Sequence, residues 1–323
     1  MEDDTFAFLF PGQGSQKVGM LAEAFDRFEA VRDTFAEASE VLEYDMWELI
    51  QNGDQEALNL TETTQPVLLA SSVALWRAWL AEGGARPAIM AGHSLGEFSA
   101  LVCAGSIAFD DAVQLVRQRG VFMQSAVPPG EGSMAAIIGM SDDAINRICE
   151  DVEAREGGVV AAVNFNSPGQ VVIAGHVAAV DAAIPALKEA GAKRAMPLPV
   201  SAPFHTQLMK PAGERLVEVL SSITIDVPEV AVVHNVTAQT EDNPDAIRKL
   251  LVQQIYSPVQ WTGCVETIVK TGATRLVECG PGKVLTGLNR RIDKSLQSFS
   301  LEMPESLTEA ITQLSQAGGT FDE

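Results

Sequence analysis

The order of elements in the chain predicts an α/β fold: a mainly parallel sheet covered by helices on both faces, with a ferredoxin-like unit inserted into it. Two observations carry this prediction. Short apolar runs, "TFAFLF", "AIMAG", "VAVVHN" and "TRLVECG", alternate with helical patterns, the rhythm of parallel strands joined by helical crossovers. From Gly130 the rhythm changes to β-α-β-β-α-β over about 70 residues, the signature of a ferredoxin-like unit. The expected organisation is a large subdomain built from residues 1–128 and 201–323, and a small subdomain from residues 129–200.

Each element follows from local chemistry. "TFAFLF" reads as a strand running into the loop "PGQGSQKVG". Helical patterns continue through residue 82, including "QPVLLASSVALWRAWLAEGG", which stops on Gly83-Gly84. The strand "AIMAG" leads into a turn at Ser94 and then a helix. A second long helix, "DDAVQLVRQRGVFMQSAV", opens on two acids that favour its N-terminus and ends before Pro128-Pro129. In the inserted unit, "GSMAAIIGM" is a strand and "SDDAINRICEDVEA" a Ser-capped helix. "VVAAVNFN" and "QVVIAGH" are strands around the turn "NSPG", followed by the helix "VAAVDAAIPALKEAGA" and the strand "KRAMPLPV". Strand-helix alternation then resumes with "VAVVHN", "DAIRKLLVQQIY", "WTGCVETIVKTG" and "TRLVECG"; the last thirty residues carry no motif.

Composition narrows the function. The net charge of −21, from 22 basic and 43 acidic residues, argues against nucleic acid as a partner. The acidic start lacks the features of a signal peptide, and no apolar run approaches the ~20 residues that span a bilayer, so a soluble cytoplasmic protein without membrane contact is expected. Cys103, Cys149, Cys264 and Cys279 lie far apart, without metal spacing, and read as free buried thiols; no metal site is expected.

Sites in parallel sheets form at the carboxyl ends of strands, where Ser94, the "PGQG" loop and the "CGPG" loop all fall. In "GHSLG", Ser94 stands between Gly92 and Gly96, the pattern of a sharp strand-to-helix turn that pushes a nucleophile out beside free backbone N–H groups. Two phosphate-binding patterns fail: Lys17 replaces the third glycine in "GQGSQKVG", and "CGPGKVL" has Val284 where a Ser or Thr is required. Of four histidines, His93, His176 and His234 read as surface or satisfied groups. His205, in "SAPFHTQLMKPAGERLVEVL", is placed in the first turn of a helix opening near Pro203, whose positive end keeps the imidazole neutral. Arg119 falls in the middle of an apolar face formed by Ala112, Leu115, Val116, Phe122 and Met123, whereas Arg117 points the opposite way. A guanidinium there needs an anion, either an internal carboxylate or helix-end carbonyls, or a substrate carboxylate gripped in bidentate fashion.

Taken together, "FPGQGSQ", "GHSLGE", "QRG", "NSPGQVVIAG", "SAPFHT", "SPVQW" and "GPGKVLTGL" resemble, in order, the motifs of the malonyl-CoA:acyl carrier protein transacylase family, from residue 5 to about 292. The resemblance implies an α/β-hydrolase-like core with a ferredoxin-like insertion. It implies Ser94 as acylated nucleophile, His205 as base, and the backbone N–H groups of Gln13 and Leu95 as oxyanion hole. Arg119 would bind the malonyl carboxylate, the Gln254 backbone carbonyl would orient His205, and Met123 and Phe204 would line the pocket, Phe204 crowding a 2-methyl branch. The substrates implied are malonyl-CoA and holo-acyl carrier protein, with ping-pong transfer through malonyl-serine, no cofactor, and supply to fatty acid synthesis. A monomer is expected, docking its carrier transiently through basic residues near the cleft, with Lys193, Arg194, Lys210, Arg290 and Arg291 as candidates. The rival readings are a serine thioesterase or esterase, a transacylase for methylmalonyl or another acyl group, and an inactive carrier-binding module.

Overall fold

The computed structural model describes residues 5–200 and 202–315. Its larger sheet holds five parallel strands: β1 (Phe6–Phe10), β2 (Ile89–Gly92), β7 (Ala231–Val233), β8 (Arg275–Glu278) and β9 (Gln297–Ser300), in the order β7-β2-β1-β8-β9. β1 is central and buried along its whole length. Phe6, Phe8 and Phe10 face one core, against Trp76 and Trp79 of the helix Thr61–Ala81. Ala7 and Leu9 face a second core under the helix Trp261–Lys270, so an unbroken apolar run is what this strand requires.

The smaller sheet is antiparallel and made of β3 (Gly132–Ile138), β4 (Val160–Ser167), β5 (Gln170–His176) and β6 (Arg194–Pro197), in the order β4-β5-β3-β6. With the helices Asp142–Glu156 and Val177–Glu189 on one face, this is the ferredoxin-like arrangement read from the sequence. The other face contributes Met134, Val163, Val172 and Ala174 to the main core. β4 is tied to the larger body by Phe165 N–H donating to Val259 O at 3.0 Å and Val259 N–H to Val163 O at 2.8 Å.

The last stretch, which carries no motif, adds two elements: β9 pairs with β8, and the helix Pro304–Ser315 follows. β9 escaped notice because "QSFS" is a short, polar edge strand with no buried face to pattern it. Two expectations are corrected. Ser141 stands at the N-cap of its helix, but its side chain makes no capping hydrogen bond. His205 is not in a helical first turn: Thr206 caps a short 3-10 turn, Gln207–Met209, and the α-helix begins at Lys210. Helix polarity therefore gives way to burial as the cause of a neutral imidazole. Among the described residues no helix is long and apolar enough to cross a membrane, no His, Cys, Asp or Glu cluster could hold a metal ion, and all four cysteines are free and buried.

Candidate active site

β2 ends at Gly92 and the helix Leu95–Cys103 begins three residues later, with Ser94 at the corner. Ser94 sits at φ 51°, ψ −106°, outside the favoured regions for a residue with a side chain. The turn closes only because both flanks are glycine. A Cβ on Gly92 would lie 1.9 Å from the Gly96 carbonyl carbon, and one on Gly96 would lie 2.0 Å from Phe10 O. Both distances are far inside van der Waals contact.

The Ser94 hydroxyl meets His205 Nε2 at 2.8 Å. On the far side of the ring, Nδ1 lies 2.8 Å from the backbone carbonyl of Gln254, an acceptor only, so Nδ1 carries the proton and Nε2 presents its lone pair to the hydroxyl. Burial, and then the adjacent Arg119 cation, push the His205 pKa down to about 3. A neutral imidazole paired with a serine hydroxyl can receive its proton.

Arg119 is buried in the helix Phe109–Gln124, on the apolar face read from the sequence, while Arg117 is exposed. Its guanidinium has no ion pair among the described residues. Instead Nη1 donates to Gln65 Oε1 and Nη2 to Gln254 Oε1, each at 2.8 Å, while Nη2 also reaches Ser94 Oγ at 3.2 Å. The cation lies 5.1 Å over the Phe98 ring, and its buried Nε has no partner. Burial pulls the guanidinium down to about 9, with the Glu97 carboxylate acting the other way. Among the described residues neither a carboxylate nor a helix-end carbonyl bonds to Arg119: it is held by neutral amides, with Glu97 acting only at a distance.

Behind the elbow lies a polar cluster absent from the sequence reading. Glu97 is fully buried and accepts from His234 Nδ1 at 2.7 Å, Asn235 N–H at 2.9 Å and Gln254 Nε2 at 2.8 Å. Asn235 Oδ1 accepts the Ser94 N–H at 2.7 Å, and Asn235 Nδ2 donates to Gly92 O at 2.7 Å. Gln254 Nε2 also donates to Ser94 O at 3.0 Å. The signal for Glu97 was present as one acid in the otherwise apolar "LGEFSALVC", and that for Asn235 as a polar residue just past β7. Gln65, a lone amide in a helix buried on nearly all sides, was missed in the same way.

A cavity of about 120 Å³ opens over Ser94, lined by Gln13, Gln65, His93, Leu95, Arg119 and His205, with Met123, Met134, Asn164, Leu198, Val200 and Phe204 as its remaining wall. Pockets for drug-sized ligands run to about 300–1,000 Å³, so this one suits a short acyl group. Gln13 and Leu95 line it, and the backbone N–H of neither donates to a partner among the described residues. The buried Asn164 Oδ1 is likewise unpaired. His93 turns away to Asn166 Oδ1 at 2.7 Å, and His176 Nδ1 accepts the Val159 N–H, so neither joins Ser94. The "CGPG" loop stays out of the cavity and buttresses the "PGQG" loop, Gly280 packing against Pro11.

Comparison with known proteins defines the class first. Residues 7–308 match the acyl transferase domain family, and the enzyme is an acyltransferase. The chain is 58% identical over 308 residues to a malonyl CoA-acyl carrier protein transacylase of Salmonella typhimurium, covering 95% of this chain and 99% of that one. An acyl carrier protein S-malonyltransferase of Vibrio cholerae superposes with a TM-score of 0.93 at 54% identity, over 95% and 99% of the two chains. A malonyl-transacylase solved in complex with its type II PKS acyl-carrier protein gives a TM-score of 0.94 at 53% identity, over 96% and 99%. The chain belongs to the malonyl CoA-acyl carrier protein transacylase family.

Proposed function

We propose that this protein transfers a malonyl group from malonyl-CoA to the phosphopantetheine thiol of an acyl carrier protein, through a malonyl ester on Ser94, supplying fatty acid synthesis. The observation that carries this reading is Arg119, a buried cation 3.2 Å from the Ser94 hydroxyl whose side-chain hydrogen-bond partners among the described residues are all neutral. Such a group accepts an acyl chain that ends in a free carboxylate. A thioesterase on the same elbow would leave that guanidinium without a task.

In the first half-reaction His205 Nε2 takes the hydroxyl proton as Ser94 Oγ adds to the thioester carbonyl. The Gln254 carbonyl at Nδ1 stabilises the imidazolium that forms. The oxyanion lies against the unpaired N–H groups of Gln13 and Leu95, a single such donor being worth about 3 kcal/mol. The C–S bond then breaks, His205 returns its proton to the sulfur, and coenzyme A leaves. In the second half-reaction the carrier thiol gives its proton to His205 and its sulfur attacks the ester. Ser94 Oγ departs and is reprotonated. Thioester exchange is near balance in energy, so the residues present suffice without a metal or redox group. Phe204, on the cavity wall, crowds a 2-methyl branch, and Met123 closes the wall beside Gln65.

For the carrier, exposed basic residues collect at one end of the small unit, residues 129–200. Arg194 pairs with Ile138, Lys193 packs on Gly139, and the Arg291 guanidinium hydrogen-bonds Gln170, which also faces Ile138. Arg290 and Lys210 are exposed as well. Met134 on the cavity wall stands about 13 Å along β3 from Ile138. That patch suits an acidic carrier whose flexible arm reaches inward.

Intact-mass analysis tests the reading. Malonyl-CoA alone is expected to leave one malonyl adduct that Ser94→Ala abolishes and that holo-carrier thiol, rather than water, removes. Release chiefly as free malonate contradicts it.

A further inference from the structure

A helix starting at a serine elbow offers several backbone N–H groups to the cleft, because the first turn has no partners of its own. In this protein that choice has been narrowed. The Gly96 N–H donates to His93 O at 2.9 Å, and the Ser94 N–H is turned inward onto Asn235 Oδ1 at 2.7 Å. Of these three, the N–H of Leu95, a residue that lines the cleft, is left without a partner among the described residues.

Asn235 performs this selection with both halves of its side chain. Its Oδ1 takes the donor on one side of the corner, and its Nδ2 gives to Gly92 O, at 2.7 Å, on the other. The carboxamide therefore spans the turn from the last residue of β2 to Ser94 itself. Its orientation is forced, since the Ser94 N–H can only donate and the Gly92 carbonyl can only accept. Asn235 is itself fixed: it is fully buried, and its own N–H donates to the Glu97 carboxylate at 2.9 Å. Glu97 lies one turn into the helix that Ser94 begins, so the brace closes a ring through the elbow. The Ser94 main chain, at φ 51° and ψ −106°, is a conformation that persists only where its surroundings over-determine it.

We propose that Asn235 is a positioning residue for Ser94: its carboxamide bridges the elbow from Gly92 to Ser94, aims the hydroxyl at His205, and reserves the Leu95 N–H as the elbow's one oxyanion donor. The inference rests on Ser94 being the acylated nucleophile.

Asn235→Leu keeps the approximate volume and removes both bonds to the elbow, together with the long 3.4 Å bond that Oδ1 accepts from Gln254 Nε2. Two readouts separate positioning from general stability. The rate at which a small fluorophosphonate labels Ser94 is expected to fall about a hundredfold, the scale of an ångström of misplacement. In the acyl-transfer assay kcat is expected to fall by a similar factor, with KM for malonyl-CoA within about threefold of the parent, because Asn235 meets Arg119 only through the long 3.4 Å bond from Gln254 Nε2, while Arg119 keeps its own bonds to Gln65 and Gln254. Labelling at the parental rate, or a change confined to KM, overturns the proposal. If Asn235→Leu does not fold, amide exchange in the unaltered enzyme decides: the Ser94 N–H is expected to be strongly protected and the Leu95 N–H unprotected, and equal exchange of the two overturns it. A parent enzyme whose labelling survives Ser94→Ala would instead remove the nucleophile reading on which this rests.

Discussion

Toward the core, the Ser94 elbow rests on Glu97, which accepts three hydrogen bonds, and on Asn235, whose N–H, Oδ1 and Nδ2 are all engaged. Toward the cleft, the same elbow faces groups left incomplete: Arg119 Nε and the N–H groups of Gln13 and Leu95 have no partner among the described residues. Each region also holds a buried histidine. His234 meets a carboxylate and serves the scaffold, whereas His205 leans on a neutral carbonyl and faces the serine. Leaving a buried polar group unpaired costs about 1–3 kcal/mol, so the open valences on one side mark where a substrate completes the structure. On the other side the Glu97 carboxylate and the Asn235 carboxamide are engaged and hold that opening in shape, while His234 Nε2 beside them is buried without a partner among the described residues.

If the two sides divide labour in this way, substitutions sort by what they damage. The largest effect is expected from His205→Ala, which lowers acylation of Ser94 by about 10²–10⁴-fold. Its unfolding midpoint in urea should stay close to the parent. A comparable loss of stability would erase the distinction. Glu97→Leu works on the other side. It strands three buried donors, and urea denaturation should register about 3 kcal/mol or more of lost stability, since each buried donor left unpaired costs about 1–3 kcal/mol. A smaller effect is one of pH. Because His205 titrates at about 3, it stays neutral far below the usual histidine range, and kcat/KM for malonyl-CoA should be flat from about pH 5 to 8. The rate should then fall as Arg119 loses its proton near 9. A half-loss near pH 6.5 would show that the imidazole is not desolvated as the geometry requires.

The sequence carried the cleft side better than the core side, and the reason is physical. Ser94 announces itself through two glycines that no other residue can replace, and Arg119 through a charge on an apolar helix face. Both are conflicts with local rules, and such conflicts are visible one residue at a time. Glu97, Asn235 and Gln65 break no rule sharply enough, since their meaning lies in partners up to 143 positions away. The fold was legible wherever a strand is buried on both faces, as in β1, or a helix is bounded by glycine and proline. β9 was lost because an edge strand of four residues has no apolar signature. His205 was found, but for a mistaken reason: the sequence pointed to a helix terminus, and the structure points to burial beside a cation.

The most direct test is the kinetics of Arg119→Ala with malonyl-CoA and acetyl-CoA side by side. Losing the cation that meets a buried carboxylate is expected to cost 2–5 kcal/mol, so kcat/KM for malonyl-CoA should fall by tens-fold or more, while that for acetyl-CoA holds or rises. A parallel fall with both thioesters would contradict the account, because Arg119 would then be supporting the elbow rather than selecting the acyl group.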